Sequence, residues 1–319
     1  MKIRIGFILR VLGTAAGLAF IALKVDLSSA YSAISRISGA TFFGAIALVA
    51  LNVVAGAVRW RLLMRAYGAT AIPPMPRLVY LYFVSFFYNN YLPGAVAGDV
   101  GRGVVTRDAF AEEGATGALA VVLIERALGL FGLFTLLAAG IALSGNALGT
   151  HGLWFWTAIG TSGSVVLVIG IAIARRIAPF LPGFARRYAE KLPSLKHGAP
   201  FAVAVILSVV TQILIAAAGW VLLHALAPEI TLTASLLVVP LAAATAYLPI
   251  TVGGAGAREA VYVSLCGRLF GMPEHDALAA SLGLWLAHLI VGLCGGIAQL
   301  LVGKRKQATI DVPVEPPAT

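Results

Sequence analysis

Two arginines occupy the same place in a short motif that occurs twice along the chain. Each copy reads Tyr-Leu-Pro-x4-Gly-x3-Arg, and the copies end at Arg102 and Arg258. The shared breaker residues are Pro93 and Gly98 in the first copy and Pro249 and Gly254 in the second. A guanidinium stays charged in apolar surroundings and donates two parallel N–H groups to a phosphate or carboxylate. The repeated arginine therefore predicts a site that binds an anion.

Glycines and acidic residues surround both arginines. The glycines are Gly98 in the first copy and Gly253, Gly254 and Gly256 in the second. They let the backbone approach a ligand closely, and helices that begin there would direct N-terminal N–H groups at the same anion. Asp99 and Glu259 lie beside the arginines. They either pair with the arginines when no ligand is bound, or form permanent salt bridges that hold each segment closed.

Two further sets of polar residues have two possible roles each. Asn89 and Asn90 precede the first motif, where their amides either contact a ligand or cap a broken helix. His288 follows Trp285 by about one helical turn in the last apolar stretch. It is either a proton-coupling group or a packing residue, and packing is the commoner role.

Glu125 and Arg126 are neighbours inside a long apolar stretch. Adjacent side chains on a helix point about 100° apart, so the two cannot pair ideally with each other. We expect each to find a partner across a helix interface, away from lipid. Arg102 and Arg258 are both open partners for Glu125. Together with the motifs, this pair completes the predicted ligand site.

The composition places these residues in a membrane. The chain of 319 residues is 60% hydrophobic and 11% charged, with a mean hydropathy of +0.94, whereas soluble domains carry about 25% charged residues. The longest hydrophilic stretch, 175–199, is too short for a separate soluble domain. We therefore expect one all-α integral membrane domain over 1–306, with a disordered tail over 307–319, and no enzyme activity carried by a soluble module.

Six apolar stretches are long enough to cross a bilayer. We interpret the first, which ends at Leu23, as an uncleaved helix rather than a signal peptide. The others are 39–58, 117–143, 153–174, 201–226 and 276–302. The stretches 78–98 and 234–256 contain the Pro and Gly residues of the motifs, which should break a helix midway. Such breaks at membrane depth predict two re-entrant hairpins whose backbone is buried in protein or faces a water-filled cavity.

Lys and Arg residues test this layout, because cytoplasmic loops hold an excess of them. With both termini inside, the predicted cytoplasmic segments carry 17 of the 23 basic residues and the external segments carry 4. The two hairpins then enter from opposite faces, which makes 39–143 and 201–302 inverted repeats, an arrangement typical of transporters.

In the alternative interpretation, Gly and Pro merely kink ordinary spans, and the two motif arginines anchor helices at the membrane interface. The charge bias predicts an inner-membrane protein that does not bind nucleic acid.

Three groups of residues resemble one known family. They are the run Asn89 to Arg102, the pair Glu125-Arg126, and Pro249-x3-Gly253-Gly254-x-Gly256-x-Arg258-Glu259. These residues resemble the lysylphosphatidylglycerol synthase transmembrane region family. In that family the membrane part is associated with lipid flipping, and some members carry a soluble aminoacyltransferase domain after it. The resemblance implies a stand-alone member without the synthase domain, and it leaves the lipid undefined.

The preferred hypothesis is translocation of a polar, phosphate-bearing lipid through a groove lined by the two hairpins. Its partners would be membrane lipids with an anionic or phosphate-bearing headgroup. One alternative is a membrane-embedded transferase or hydrolase acting on a lipid phosphate, and another is a scaffold for a separate lipid-modifying enzyme. The sequence has no nucleotide-binding loop, nucleophile elbow or metal-ligand spacing, so we expect no cofactor, no metal and no ATP hydrolysis by this chain. The pattern indicates no oligomeric state.

Overall fold

A computed structural model describes residues 25–92, 96–144, 151–180, 192–247 and 254–310, with a few single residues near 15–23 and 182–190. All regular secondary structure in these ranges is helical, which confirms the predicted class. The α-helices are α1 (Leu27–Arg36), α2 (Gly39–Ala66), α3 (Met75–Tyr91), α4 (Ala97–Val105), α5 (Gly114–Ser144), α6 (His151–Ile177), α7 (Gly198–Leu226), α8 (Leu232–Ala244), α9 (Ala257–Phe270) and α10 (Glu274–Ile310).

Four described helices are long and apolar enough to cross a membrane. They are α2, the part of α5 over Gly114–Leu143, α7, and the part of α10 over Glu274–Val302. Each of them covers one of the predicted spans. Helix α6 covers the predicted span 153–174 with 27 helical residues, whereas most of the first predicted span lies outside the described residues.

Two helix ends differ from the sequence-based boundaries. Helix α2 continues to Ala66 and so includes Arg59, which the charge count placed in a cytoplasmic loop. Its guanidinium is buried against α5 and α7, so the polar residue does not end the helix. Helix α10 continues to Ile310 and takes in the first residues of the predicted tail. Residues 311–319 lie outside the described ranges.

Helices α2 and α7 pack together and run antiparallel. The backbone N–H groups of Lys196 and His197, just before α7, donate to the carbonyl of Ala66 at the end of α2, at 2.8 and 3.0 Å. Beside this contact the rings of Tyr67 and Phe201 meet edge to face, with centroids 6.3 Å apart. The end of α2 therefore adjoins the beginning of α7.

The first motif forms two helices that fold against each other. Helix α3 ends at Tyr91 and α4 begins at Ala97, while 93–95, including Pro93, lie outside the described residues. Gly98 rests directly on the backbone of α3, because an added Cβ would overlap the carbonyl of Ser85. The lack of a side chain at Gly98 thus allows the two helices to touch.

The second motif also separates two helices that pack together. Helix α8 ends in a 3-10 turn, Thr245–Tyr247, and α9 begins at Ala257. Between them, 248–253, including Pro249 and Gly253, lie outside the described residues. Gly254 and Gly256 both have φ of +82°, a conformation that favours glycine. Gly254 therefore lies in a turn, whereas its counterpart Gly98 lies inside helix α4.

The packing of the two broken segments follows one scheme. Helix α3 packs on α10, the last span of the other half, and α8 packs on α5, the last span of the first half. Both contacts use a glycine. An added Cβ at Gly295 would overlap the carbonyl of Phe83, and one at Gly140 would lie 2.7 Å from the carbonyl of Leu236. Each broken segment is thus held between spans from both halves of the chain.

Candidate functional site

A cavity of about 600 Å³ lies between the two broken segments, a volume in the range of small-molecule sites. Among the predicted site residues, those that line it are Asn89, Asn90, Asp99, Arg102, Glu125, Arg126, Gly254 and Arg258. Gly98, Gly256 and Glu259 lie directly beside lining residues, and the predictions for Pro93, Pro249 and Gly253 fall outside the described residues. The structure therefore brings both motifs to one cavity.

Glu125 lies at the centre of a buried polar cluster, with only 1% of its side chain exposed. Its Oε1 accepts from Arg59 Nη2 at 3.0 Å and from the hydroxyl of Tyr82 at 2.7 Å. Its Oε2 lies 2.7 Å from Nη1 of Arg102. One carboxylate therefore joins α2, α3 and α4 to α5, and the expected partner across a helix interface is present.

Arg102 lines the cavity, but only 3% of its side chain is exposed. Besides the ion pair with Glu125, its Nε donates to Asp99 Oδ1 at 3.1 Å. Its guanidinium carbon lies 4.8 Å from the ring centroid of Trp60 and 4.5 Å from that of Tyr82, so two aromatic rings cover it. Little of this guanidinium is left to meet a ligand.

Arg126 has a more open position and is 28% exposed. Its Nε donates to Asp99 Oδ2 at 2.6 Å, and Asp99 also accepts from the hydroxyl of Ser85 at 2.9 Å. Asp99 therefore holds one buried and one partly open arginine. The partner that we expected for Arg126 across a helix interface is this carboxylate.

Arg258 is the corresponding open cation of the second half, with 20% of its side chain exposed. Its Nε donates to Glu259 Oε1 at 2.8 Å, and its guanidinium carbon lies 5.8 Å from the ring centroid of Trp285. The other oxygen, Glu259 Oε2, accepts from the backbone N–H of Gly256 at 2.7 Å. Glu259 thus caps the N-terminus of α9 with one oxygen and holds the Arg258 guanidinium with the other.

Asn89 and His288, which had two predicted roles each, have defined contacts. Asn89 Oδ1 accepts from the backbone N–H of Gly98 at 3.0 Å, which is the capping role, across the break between α3 and α4. His288 lines the cavity, where its Nδ1 lies 2.8 Å from the carbonyl of Leu284. Its ring stacks on Phe86 with centroids 5.8 Å apart. These are contacts of a packed side chain, and the proton-coupling role of His288 stays a prediction.

Sequence reasoning missed Arg59 and underrated Tyr82. The charge of Arg59 ends the apolar run 39–58, which places it in a loop, and neither motif includes Tyr82. Arg59 Nη1 also donates to Ser208 at 3.3 Å and Thr211 at 3.2 Å. The available signal was the set of apolar residues after Arg59, namely Trp60, Leu62, Leu63 and Met64, which is interrupted only by Arg61 and indicates that the helix continues past the charge.

The site combines fixed cations, amides and hydroxyls in apolar surroundings, which suits the reversible binding of a polar anion. The described residues include no group of three or more His, Cys, Asp or Glu side chains placed to hold a metal ion. Residues 7–296 match the family model described as the lysylphosphatidylglycerol synthase TM region. No curated protein matches the chain.

Proposed function

The chain belongs to the lysylphosphatidylglycerol synthase TM region family, whose match covers most of its length, and we propose that it translocates a phosphate-bearing lipid between the two leaflets of a bilayer. Family membership and the apolar helices make it a membrane protein of a lipid-handling family. The observation that carries the proposal is the cavity of about 600 Å³, where Arg126 from one half and Arg258 from the other are both partly exposed.

The main barrier to lipid translocation is the headgroup. An unpaired charge costs at least several kcal/mol in hydrocarbon, so a translocator must supply opposite charge along the path. Arg126 and Arg258 supply it, and the carboxylates that hold them are almost fully buried. In this proposal a phosphate binds the exposed parts of the two guanidiniums, whose carboxylate partners Asp99 and Glu259 are already engaged by arginine N–H groups. The acyl chains can remain in the bilayer while the headgroup crosses.

The proposal includes two inverted repeats of the form span, broken segment, span. Helix α2 begins the first and α7 the second, and the antiparallel packing of these two helices supports the inversion. The matching contacts of α3 on α10 and of α8 on α5 support it further. In this arrangement the two broken segments are re-entrant hairpins from opposite faces, as alternating access to a shared site requires. The layout has six spans in the inner membrane and both termini in the cytoplasm.

Purified protein in liposomes tests the proposal. We expect a lipid labelled on its acyl chain to become accessible to a membrane-impermeant quencher beyond the half present in the outer leaflet. Protein-free liposomes give the background rate, and chromatography of the extracted lipid shows whether it is chemically changed. Movement of an unchanged lipid supports translocation. A changed lipid would indicate a transferase or hydrolase. A lipid that neither moves nor changes would favour a scaffold.

A further inference from the structure

We propose that the translocated headgroup is a phosphodiester that carries hydroxyl groups and no ammonium group. The inference rests on the proposed translocation and concerns the chemistry of the same cavity. It follows from two features of the cavity wall, namely the unused ends of two amide side chains and the balance of charge. Glycerol, inositol and sugar phosphates attached to lipid have this chemistry.

The first feature is a pair of amides whose orientation is fixed by the backbone. Asn90 Nδ2 donates to the carbonyl of Phe86 at 2.8 Å, and Gln212 Nε2 donates to the carbonyl of Gly129 at 3.2 Å. A backbone carbonyl only accepts, so each amide must present its nitrogen there and retain its oxygen as an acceptor. Both residues line the cavity, and neither oxygen has a hydrogen-bond partner among the described residues. The ligand that fits must therefore bring hydrogen-bond donors.

The second feature is the charge of the cavity wall. It decides whether the hydrogen-bond donors of the ligand are ammonium groups or hydroxyl groups. The charged residues that line the cavity are four arginines and two carboxylates, namely Arg59, Arg102, Arg126, Arg258, Asp99 and Glu125. The wall keeps a net positive charge even when Glu259, the ion-pair partner of Arg258, is added to the count. Charge interactions are stronger in apolar surroundings than in water, so this wall attracts a phosphate and repels an ammonium group. Hydroxyl groups are the donors that remain.

Both features act on different parts of one headgroup. The open guanidiniums of Arg126 and Arg258 bind the phosphate, and the oxygens of Asn90 and Gln212 accept from its hydroxyl groups. A site built to accept from a hydroxyl discriminates against ligands that lack one, because its buried acceptor is then left unpaired. Phosphatidylethanolamine brings an ammonium group and no hydroxyl. Lysylphosphatidylglycerol keeps one free glycerol hydroxyl but adds ammonium groups that the positive wall repels, so both lipids should move more slowly.

A panel of lipids tests this inference in the same liposome assay. Phosphatidylcholine vesicles carry traces of phosphatidylglycerol, phosphatidylethanolamine or lysylphosphatidylglycerol, each labelled on an acyl chain. We expect phosphatidylglycerol to move at least about tenfold faster than the two ammonium lipids, the ratio given by one unsatisfied polar group. Equal rates, or faster movement of either ammonium lipid, would overturn the inference and leave translocation standing. If no lipid moves, translocation itself fails and this inference fails with it.

Two additional probes separate the possible sources of the headgroup. A labelled polyprenyl phosphosugar in the same vesicles tests a sugar phosphate on a different lipid anchor. Uptake of radiolabelled glycerophosphoglycerol, the phosphodiester that remains when phosphatidylglycerol loses its acyl chains, tests the headgroup alone. Uptake of the soluble phosphate without lipid movement would support the recognition chemistry and contradict lipid translocation.

Substitution of the amides gives a test within the protein. Gln212→Met keeps the length of the side chain and removes its acceptor, so phosphatidylglycerol should move about two- to tenfold more slowly, with little change for phosphatidylethanolamine. Gln299→Met places the same change elsewhere, in α10 and away from the cavity, and should leave both rates unchanged. Asn90→Leu provides a second variant in case Gln212→Met disturbs folding. An unchanged preference between the lipids in both Asn90 and Gln212 variants would contradict the inference.

Discussion

Arg102 Nη1 lies 2.7 Å from Glu125 Oε2, and this ion pair joins the short helix after the first break to the middle of a spanning helix. The pairing turns the arginine of the first motif inward. Its counterpart Arg258 remains partly exposed at the cavity. The two motif arginines therefore occupy the same motif position but differ in exposure, and in the first half the partly exposed arginine is Arg126.

Loss of Glu125 should destabilise the protein. Glu125→Ala leaves both Arg59 and Arg102 buried without their shared carboxylate, and breaking a buried pair in this way costs about 3–5 kcal/mol. Thermal unfolding in detergent, followed by size-exclusion chromatography, measures the effect. Glu112→Ala removes an exposed carboxylate and should change stability by less than about 0.5 kcal/mol. Equal unfolding temperatures for the two variants would show that the cluster around Glu125 is not needed for the fold.

Removal of either open arginine should reduce translocation and preserve the fold. Arg126→Ala and Arg258→Ala each remove a cation from the cavity, and we expect at least about a tenfold slower rate in liposomes, because hydrogen bonds to charged groups contribute about 1.5–3 kcal/mol. Arg258→Lys should restore the rate only in part, since an ammonium cannot form the bidentate contact.

The control for Arg258 lies in the same helix. Arg268 is exposed near the end of α9, and Arg268→Ala should translocate at the normal rate. A normal rate in Arg126→Ala and Arg258→Ala as well would exclude both guanidiniums from contact with the headgroup.

The contact of α4 with α3 should depend on Gly98. Gly98→Ala places a methyl group against the carbonyl of Ser85, so the helices must separate, and such overpacking costs about 1–3 kcal/mol. Gly101 lies in the same helix with open space around it, and Gly101→Ala should be neutral or stabilise by up to about 1 kcal/mol. Comparison of the two unfolding temperatures isolates the helix contact from helix propensity. The idea fails if Gly98→Ala is as stable as Gly101→Ala.

The helices could be predicted because each depends on local sequence. An apolar stretch of about 20 residues is sufficient to indicate a span, and α5 and α7 follow that signal closely. The pairing of Glu125 was also within reach, because a charge inside a span must find a partner and few are available. Both predictions, the spans and the need of Glu125 for a partner, follow from the local sequence alone.

Other features depend on residues far away in the sequence. Arg59 is stabilised inside α2 by Glu125, which lies 66 positions later. The sequence around Arg59 does not indicate which residue is its partner. The motif gave Gly98 and Gly254 the same expected role, yet one lies in a helix and the other in a turn with φ of +82°. The difference lies in where the next helix begins. Helix α4 begins at Ala97, before Gly98, whereas α9 begins at Ala257, after Gly254.

The membrane orientation can be tested at the two ends of one helix. Leu195 precedes α7 and Glu229 follows it, and both side chains are exposed. Helix α7 has 29 residues, or about 43 Å at 1.5 Å per residue, which is long enough to put its ends on opposite sides of a bilayer. In a variant with Cys266 and Cys294 replaced by alanine, we expect Glu229→Cys in intact cells to react with a membrane-impermeant maleimide.

Leu195→Cys should react only after the membrane is permeabilised, because the segment before α7 carries the largest cluster of basic residues. Thr70→Cys is the matched position in the first half. It follows α2, whose last carbonyl accepts from the backbone just before α7, so both sites must lie on the same side and Thr70→Cys should react in the same way as Leu195→Cys. Labelling of Leu195→Cys and Thr70→Cys in intact cells, with protection of Glu229→Cys, would reverse the orientation and keep the antiparallel pair. Opposite behaviour of Leu195→Cys and Thr70→Cys would contradict the packing of α2 on α7, and with it the inverted repeats.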